Sequence, residues 1–93
     1  MQDMLTQIER AILQDRYAFS GKAQTEMERD GFREFKVLEA ILNATTIYKT
    51  LRAQSPSRKS VAERLYVIHG TNYDGLFIFT KGKWEPSKDS HDL

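Results

Sequence analysis

The sequence predicts an α+β domain in which N-terminal helices pack on an antiparallel sheet of three or four strands. Three observations carry this. Apolar residues recur at helical spacing from Leu5 to Leu42, the composition turns to β-branched and aromatic residues from Thr45, and two apolar runs flank a polar segment bracketed by Gly70 and Gly75. The last is the pattern of a β-hairpin with a short loop. A chain of 93 residues makes one small domain, and we place it at 1–83. Residues 84–93 read as a polar, poorly ordered tail from which Trp84 is excepted, since a lone Trp beside a sheet packs on it.

In the first helix, residues 2 to 15, Leu5, Ile8, Ala11 and Ile12 form one apolar stripe, widened by Leu13. Tyr17 and Phe19 then alternate with Ala18 and Ser20 in a brief extended piece. Ser20 suits the N-cap of a second helix because its hydroxyl can accept from a following backbone N–H. Ala23 and Met27 lie one turn apart on the inner side of that helix. It should stop at Asp30-Gly31, where glycine suits a left-handed residue and Phe32 can fold back as the hydrophobic contact. A third helix, 34 to 43, buries Val37, Leu38, Ile41 and Leu42.

Residues 46 to 52 read as a strand, and the ten residues 53–62, with Pro56, Arg58 and Lys59, as a long polar loop. The hairpin is the centre of the sheet. With a loop of Thr71 to Asp74 and Gly70 opposite Gly75, Ile68 pairs with Phe77, Tyr66 with Phe79 and Arg64 with Lys81. Side chains alternate along a strand, so Leu65, Val67, His69, Leu76, Ile78 and Thr80 share the other, aliphatic face. That face belongs against the helices. The aromatic face, with Arg64 and Lys81 at its margin, is then the working surface, because rings stack on bases while cations meet phosphate. Tyr66, Phe77 and Phe79 serve equally as half of a two-sided core or as a dimer contact.

Bulk properties narrow the function classes. The composition is 40% hydrophobic and 29% charged, and no apolar run approaches bilayer length, so we expect a cytoplasmic protein with no membrane contact. With no cysteine and two distant histidines, no disulfide framework, metal site or cofactor is expected. The net charge of +1 hides an asymmetry. Residues 1–45 hold six Lys/Arg against eight Asp/Glu, residues 46–83 hold seven against two, and the tail holds one against three. The sheet half is basic, which favours a polyanion or an acidic partner on that side, although an ordinary solvated surface has the same composition.

No nucleophile elbow, phosphate-binding glycine loop or clustered carboxylate pair is present. Cleavage of RNA by its own 2′-hydroxyl needs none of these. It needs a group to take a proton, one to return it to the leaving oxygen, and cations to hold the phosphate. His69, Tyr66, Tyr48, Lys49, Arg52, Arg64 and Lys81 have the right chemistry and fall on or beside the expected sheet. His69, Arg64 and Lys81 are the candidate catalytic set, and Arg52, Lys49, Tyr66 and Phe79 the candidate RNA contacts. In the expected register His69 lies on the aliphatic face, where it also reads as a structural histidine. Asp74 reads as a turn residue and His91 is discounted.

The run from Tyr17 to Phe32, the Val37-Leu38-Glu39-Ala40-Ile41-Leu42 helix and the segment from Tyr66 to Lys83 together resemble a widespread bacterial domain of unknown function. It is grouped with the RelE-like toxins and often lies beside small zinc-finger antitoxins of the YgiT type. The resemblance covers residues 14 to 83. It implies a RelE-like α+β fold, metal-independent cleavage of messenger RNA, and a small antitoxin protein as partner. This chain has Lys22 where many members have histidine, and ends in Ser-Lys-Asp-Ser-His-Asp-Leu where members continue into an apolar strand. A version without that strand is expected to bind without cleaving, and to leave a sheet edge open for pairing with another chain as in a homodimer. The alternative function is a non-catalytic dimerisation or protein-interaction domain.

Overall fold

The computed structural model describes residues 3–52 and 64–93. It shows three helices on a five-stranded mixed sheet. Helix α1 (Met4–Leu13) starts where Asp3 accepts a hydrogen bond from the Thr6 amide at 2.8 Å and buries the expected Leu5, Ile8, Ala11 and Ile12. Strand β1 (Tyr17–Ala18) follows. Helix α2 (Gly21–Asp30) is capped by Ser20, whose hydroxyl accepts from the Ala23 amide at 3.1 Å. It ends at Gly31 with φ of 77°, as the sequence predicts. There the Phe32 amide donates to the Met27 carbonyl and the Gly31 amide to that of Glu28, the paired bonds of a Schellman ending. Helix α3 (Glu34–Asn43) buries Val37, Leu38, Ala40 and Ile41.

The sheet consists of β1, β2 (Ile47–Arg52), β3 (Arg64–Thr71), β4 (Phe77–Glu85) and β5 (Ser90–Asp92), in the spatial order β1-β5-β4-β3-β2. Helices α1 and α3 cover one face. Ile8, Ile41 and Ile68 are fully buried between them and the sheet, with Leu5, Ile12 and Leu38 around them. Truncating any of the three isoleucines to alanine would cost about 2–5 kcal/mol by removing buried methylenes and leaving a void. A second, smaller cluster of Val37, Ala40 and Ile78 is flanked by Phe19, Met27 and Phe32.

Four expectations are corrected. The sheet has five strands rather than three or four, and it is mixed, because β1 runs parallel to β5 with Tyr17 opposite His91. The helices are not all N-terminal to the sheet, since β1 intervenes between α1 and α2. Residues 84–93 are not a loose tail. Trp84 and Glu85 end β4 and pair with His91 and Ser90, while Trp84 packs on the main cluster as expected. Arg16 fastens this segment through an ion pair of 3.1 Å to the Asp89 carboxylate and a 2.7 Å bond to the Asp89 carbonyl. The expected loop at 53–62 lies outside the described residues.

The fourth correction is the hairpin register. Thr71 pairs with Phe77, Gly70 with Ile78, His69 with Phe79, Ile68 with Thr80 and Val67 with Lys81. The loop is therefore 72–76. Asn72 holds it, its side-chain oxygen accepting from the amides of Asp74 at 2.9 Å and Leu76 at 3.0 Å, and Gly75 supplies a left-handed residue with φ of 84°. Gly70 is no turn residue. It sits inside β3 because the backbone of Ala40 in α3 occupies the space a Cβ would need. A shift of three residues is odd, so it exchanges the faces of β3 relative to those of β4. Tyr66, Ile68, Gly70, Ile78 and Thr80 face the helices, and Leu65, Val67, His69, Phe77, Phe79 and Lys81 face the other way.

Candidate nucleic-acid interface

The face of the sheet away from α1 and α3 carries a cluster of rings centred on His69. Tyr48 stacks on the imidazole with ring centroids 3.9 Å apart and an interplanar angle of 19°. Phe79, opposite His69 in the ladder, meets it edge-on at 3.9 Å. Phe77 closes the group, 5.2 Å from His69 and 5.6 Å from Phe79. Burial of the imidazole under its neighbours leaves Nε2 without a hydrogen-bond partner among the described residues. The outer rings are open, with Tyr48, Phe77 and Phe79 exposed by 59%, 62% and 63%.

Tyr48 reaches this cluster through an irregularity in β2. The pairing passes from Ile47 opposite Ile68 directly to Lys49 opposite Val67, so Tyr48 has no residue across from it. Such a bulge turns the strand locally and re-aims the extra side chain. Ile47 thereby packs in the core while Tyr48 stacks on His69 from the far side of the sheet.

The next row along the sheet is Lys49, Val67 and Lys81 on β2, β3 and β4. Strand spacing sets the two lysine Cα atoms about 10 Å apart, on either side of a valine that their stems and the neighbouring rings shield. Val67 is buried although it faces away from the helices. The Lys49 ammonium lies 5.8 Å from the centroid of the Tyr48 ring, within cation–π range. The face thus combines exposed ring faces with two lysines one row away.

Four of the seven candidate site residues meet here: His69, Phe79, Lys49 and Lys81. The expected aromatic face acquires His69, which the sequence pattern assigns to the aliphatic side, and loses Tyr66, which packs against the main core cluster. Arg64 and Lys81 are not partners. Arg64 pairs with Arg52 at the far end of β2 and β3, about 17 Å along the strand from His69. Tyr48 and Phe77 complete the cluster without having been among the chosen contacts. Aromatic residues at alternate positions, 77 and 79, signalled the second of these. No sequence signal announced the bulge that places the first.

The hairpin loop at the end of this face is tied to α3. Lys36 pairs with Asp74 at 2.9 Å and with Glu39 at 3.9 Å, and Glu39 accepts a bond from the Tyr73 amide at 3.3 Å. The hydrogen bond to Asp74 holds the Lys36 ammonium above its ordinary pKa. Among the described residues no three His, Asp or Glu side chains converge as metal ligands do, and no helix is long and apolar enough to cross a membrane. Comparison with protein-family models, with curated proteins and with solved structures finds no match.

Proposed function

We propose that the domain binds single-stranded RNA on the open face of its sheet, as a RelE-like toxin-type domain. The observation that supports this best is the grouping of three exposed rings, Tyr48, Phe77 and Phe79, beside Lys49 and Lys81. Every base has a ring face, so such a platform takes bases with little regard to sequence, each stacking contact contributing about 1–3 kcal/mol. The lysines supply the phosphate contacts that fix the strand over the rings. Arg52 and Arg64, paired at the far end of the same strands, share the parity of Tyr66 and Ile68 and so belong to the other face of the sheet, outside this track.

Metal-independent cleavage is the stronger form of this reading. The His69 imidazole would take the proton of the 2′-hydroxyl as that oxygen bonds to phosphorus and pass it to the departing 5′-oxygen as the P–O5′ bond breaks, leaving a 2′,3′-cyclic phosphate and a 5′-hydroxyl, while Lys49 and Lys81 balance charge on the phosphate. The imidazole is clasped between Tyr48 and Phe79, so its packing suits a platform better than a freely moving base. Three large exposed rings on one face also suit the rival reading, a non-catalytic contact with another protein or a second copy.

Fluorescence anisotropy with a labelled mixed-sequence RNA of about a dozen nucleotides tests the reading, a strand of the length that such grooves track. The same RNA is followed on a gel in EDTA. Binding that weakens at least tenfold in Tyr48→Ala or Phe79→Ala supports the platform. Cleavage in EDTA that His69→Ala abolishes supports the enzyme. No RNA affinity, together with a dimer that Phe79→Ala dissociates, overturns both in favour of the rival.

A further inference from the structure

On the opposite side of β4 from β3, the sheet is interrupted. β5 pairs with β4 only through residues 83–85, so residues 77–81 have a ladder partner on one side alone among the described residues. Across from this free edge stands α2, which buries none of its residues. Between them lies a slot of about 460 Å³ with Phe19, Ala23, Met27, Phe32, Val37 and Ile78 among its apolar lining. Leu93 lines it too, and the Leu93 carbonyl accepts from the Ser20 amide at 2.8 Å. The slot therefore continues the lane of β5, bounded by β4 on one side and by the start of α2 on the other.

We propose that this slot binds an extended segment of another polypeptide as an added strand running antiparallel to β4. An unpaired row of backbone amides and carbonyls beside an apolar trough is what strand addition requires: the backbone gives affinity, and alternate side chains give selectivity. The five residues of the free edge span about 17 Å, enough for a strand of ordinary length. A lane walled on both sides admits one strand. It has no room for the edge of a folded sheet, which argues against a second copy of this domain as occupant.

The lining defines the guest. Side chains at alternate positions point toward Met27, Val37 and Ile78, so these must be apolar and β-branched, with polar residues between them. Charge sets its direction and ends. Lys22, Glu26 and Asp30 lie four residues apart along the side of α2 that lines the slot. The start of α2, with Lys22, is held beside Leu93 through Ser20, and its later part runs toward Ile78, against whose cluster Met27 and Phe32 pack, so Asp30 belongs to the end where β4 begins. A strand antiparallel to β4 enters beside Lys22 and leaves beside Glu26 and Asp30. The fitting guest is acidic at its N-terminal end and basic at its C-terminal end. The slot shares Phe77, Phe79 and Lys81 of β4 with the ring cluster but adds α2 and the free strand edge, and the proposal does not depend on RNA binding.

The test uses the synthetic peptide Glu-Val-Thr-Val-Thr-Val-Lys, blocked at both ends, titrated into the full chain with backbone amide NMR. The expected result is saturable binding, with shifts and new amide protection confined to residues 77–81 and α2. Ala23→Trp, which fills the trough from a half-buried position, should weaken it at least tenfold. Glu26→Lys, at an exposed position, should weaken this peptide and favour its charge-reversed counterpart, Lys-Val-Thr-Val-Thr-Val-Glu, so a folding defect cannot mimic the result. Absence of binding, shifts on Tyr48, Lys49 and His69 with none on α2, or a self-dimer that Ala23→Trp disrupts would each overturn the proposal.

Discussion

The backbone of Ala40 in α3 lies against Gly70 in β3 so closely that a Cβ on Gly70 would overlap the Ala40 carbonyl. This contact sets the distance between helix and sheet and puts Ile41 and Ile68 in the same core. Gly70→Ala must push α3 away along its length. The expected loss is about 3 kcal/mol, at the upper end for overpacking because backbone and not a pliable side chain is displaced. Urea unfolding followed by circular dichroism measures it, and a midpoint equal to wild type would refute the contact.

His91 gives a pH-dependent stability. Its ring is fully buried and lies over Gly82, where a Cβ would come within 2.7 Å of Nε2, and neither ring nitrogen has a hydrogen-bond partner among the described residues. Burial disfavours the imidazolium and pushes the pKa down to about 4, against a smaller opposing pull from Asp92. The unfolded chain thus takes up the proton first. Stability from the neutral ring is complete above the ordinary histidine pKa of about 6.5 and falls as pH drops through the window to about 4, by on the order of 3 kcal/mol. Imidazole NMR resonances of the folded protein should show His91 still neutral at pH 5.5. A midpoint near 6.5 would contradict the burial.

Asn72 holds the hairpin loop through the amides of Asp74 and Leu76. Asn72→Ala leaves both donors without that acceptor and should cost about 2 kcal/mol. Hydrogen exchange at Leu76 should accelerate with it. Unchanged exchange would mean that the loop is held by other contacts.

The helices were legible in the sequence for a physical reason. A 3.6-residue period, the Ser20 cap and the Gly31 ending are local signals, and the structure keeps them. The sheet depends on contacts between distant residues. Gly70 looked like a turn residue because the reason for a glycine there is Ala40, thirty positions earlier. The misplaced turn alone moved His69 and Tyr66 to the wrong faces. β5 was invisible for a similar reason: Ser-His-Asp has no strand pattern, and its place depends on Arg16 reaching Asp89 and on pairing with β1. The ring-and-lysine character of the site was readable from composition, but which rings meet depended on register and on the bulge at Tyr48.

The salt dependence of RNA affinity tests the central claim most directly. For wild type, Lys49→Gln, Lys81→Gln and the double variant, the dissociation constant of a single-stranded RNA is measured across a range of salt concentrations. Each phosphate contact releases counterions, so log affinity should fall linearly with log salt, and each lysine removed should reduce the slope by about 0.7. Tyr48→Ala should weaken binding and leave the slope unchanged. An affinity that is absent at low salt, or a slope indifferent to both lysines, would contradict the assignment of the open face to RNA.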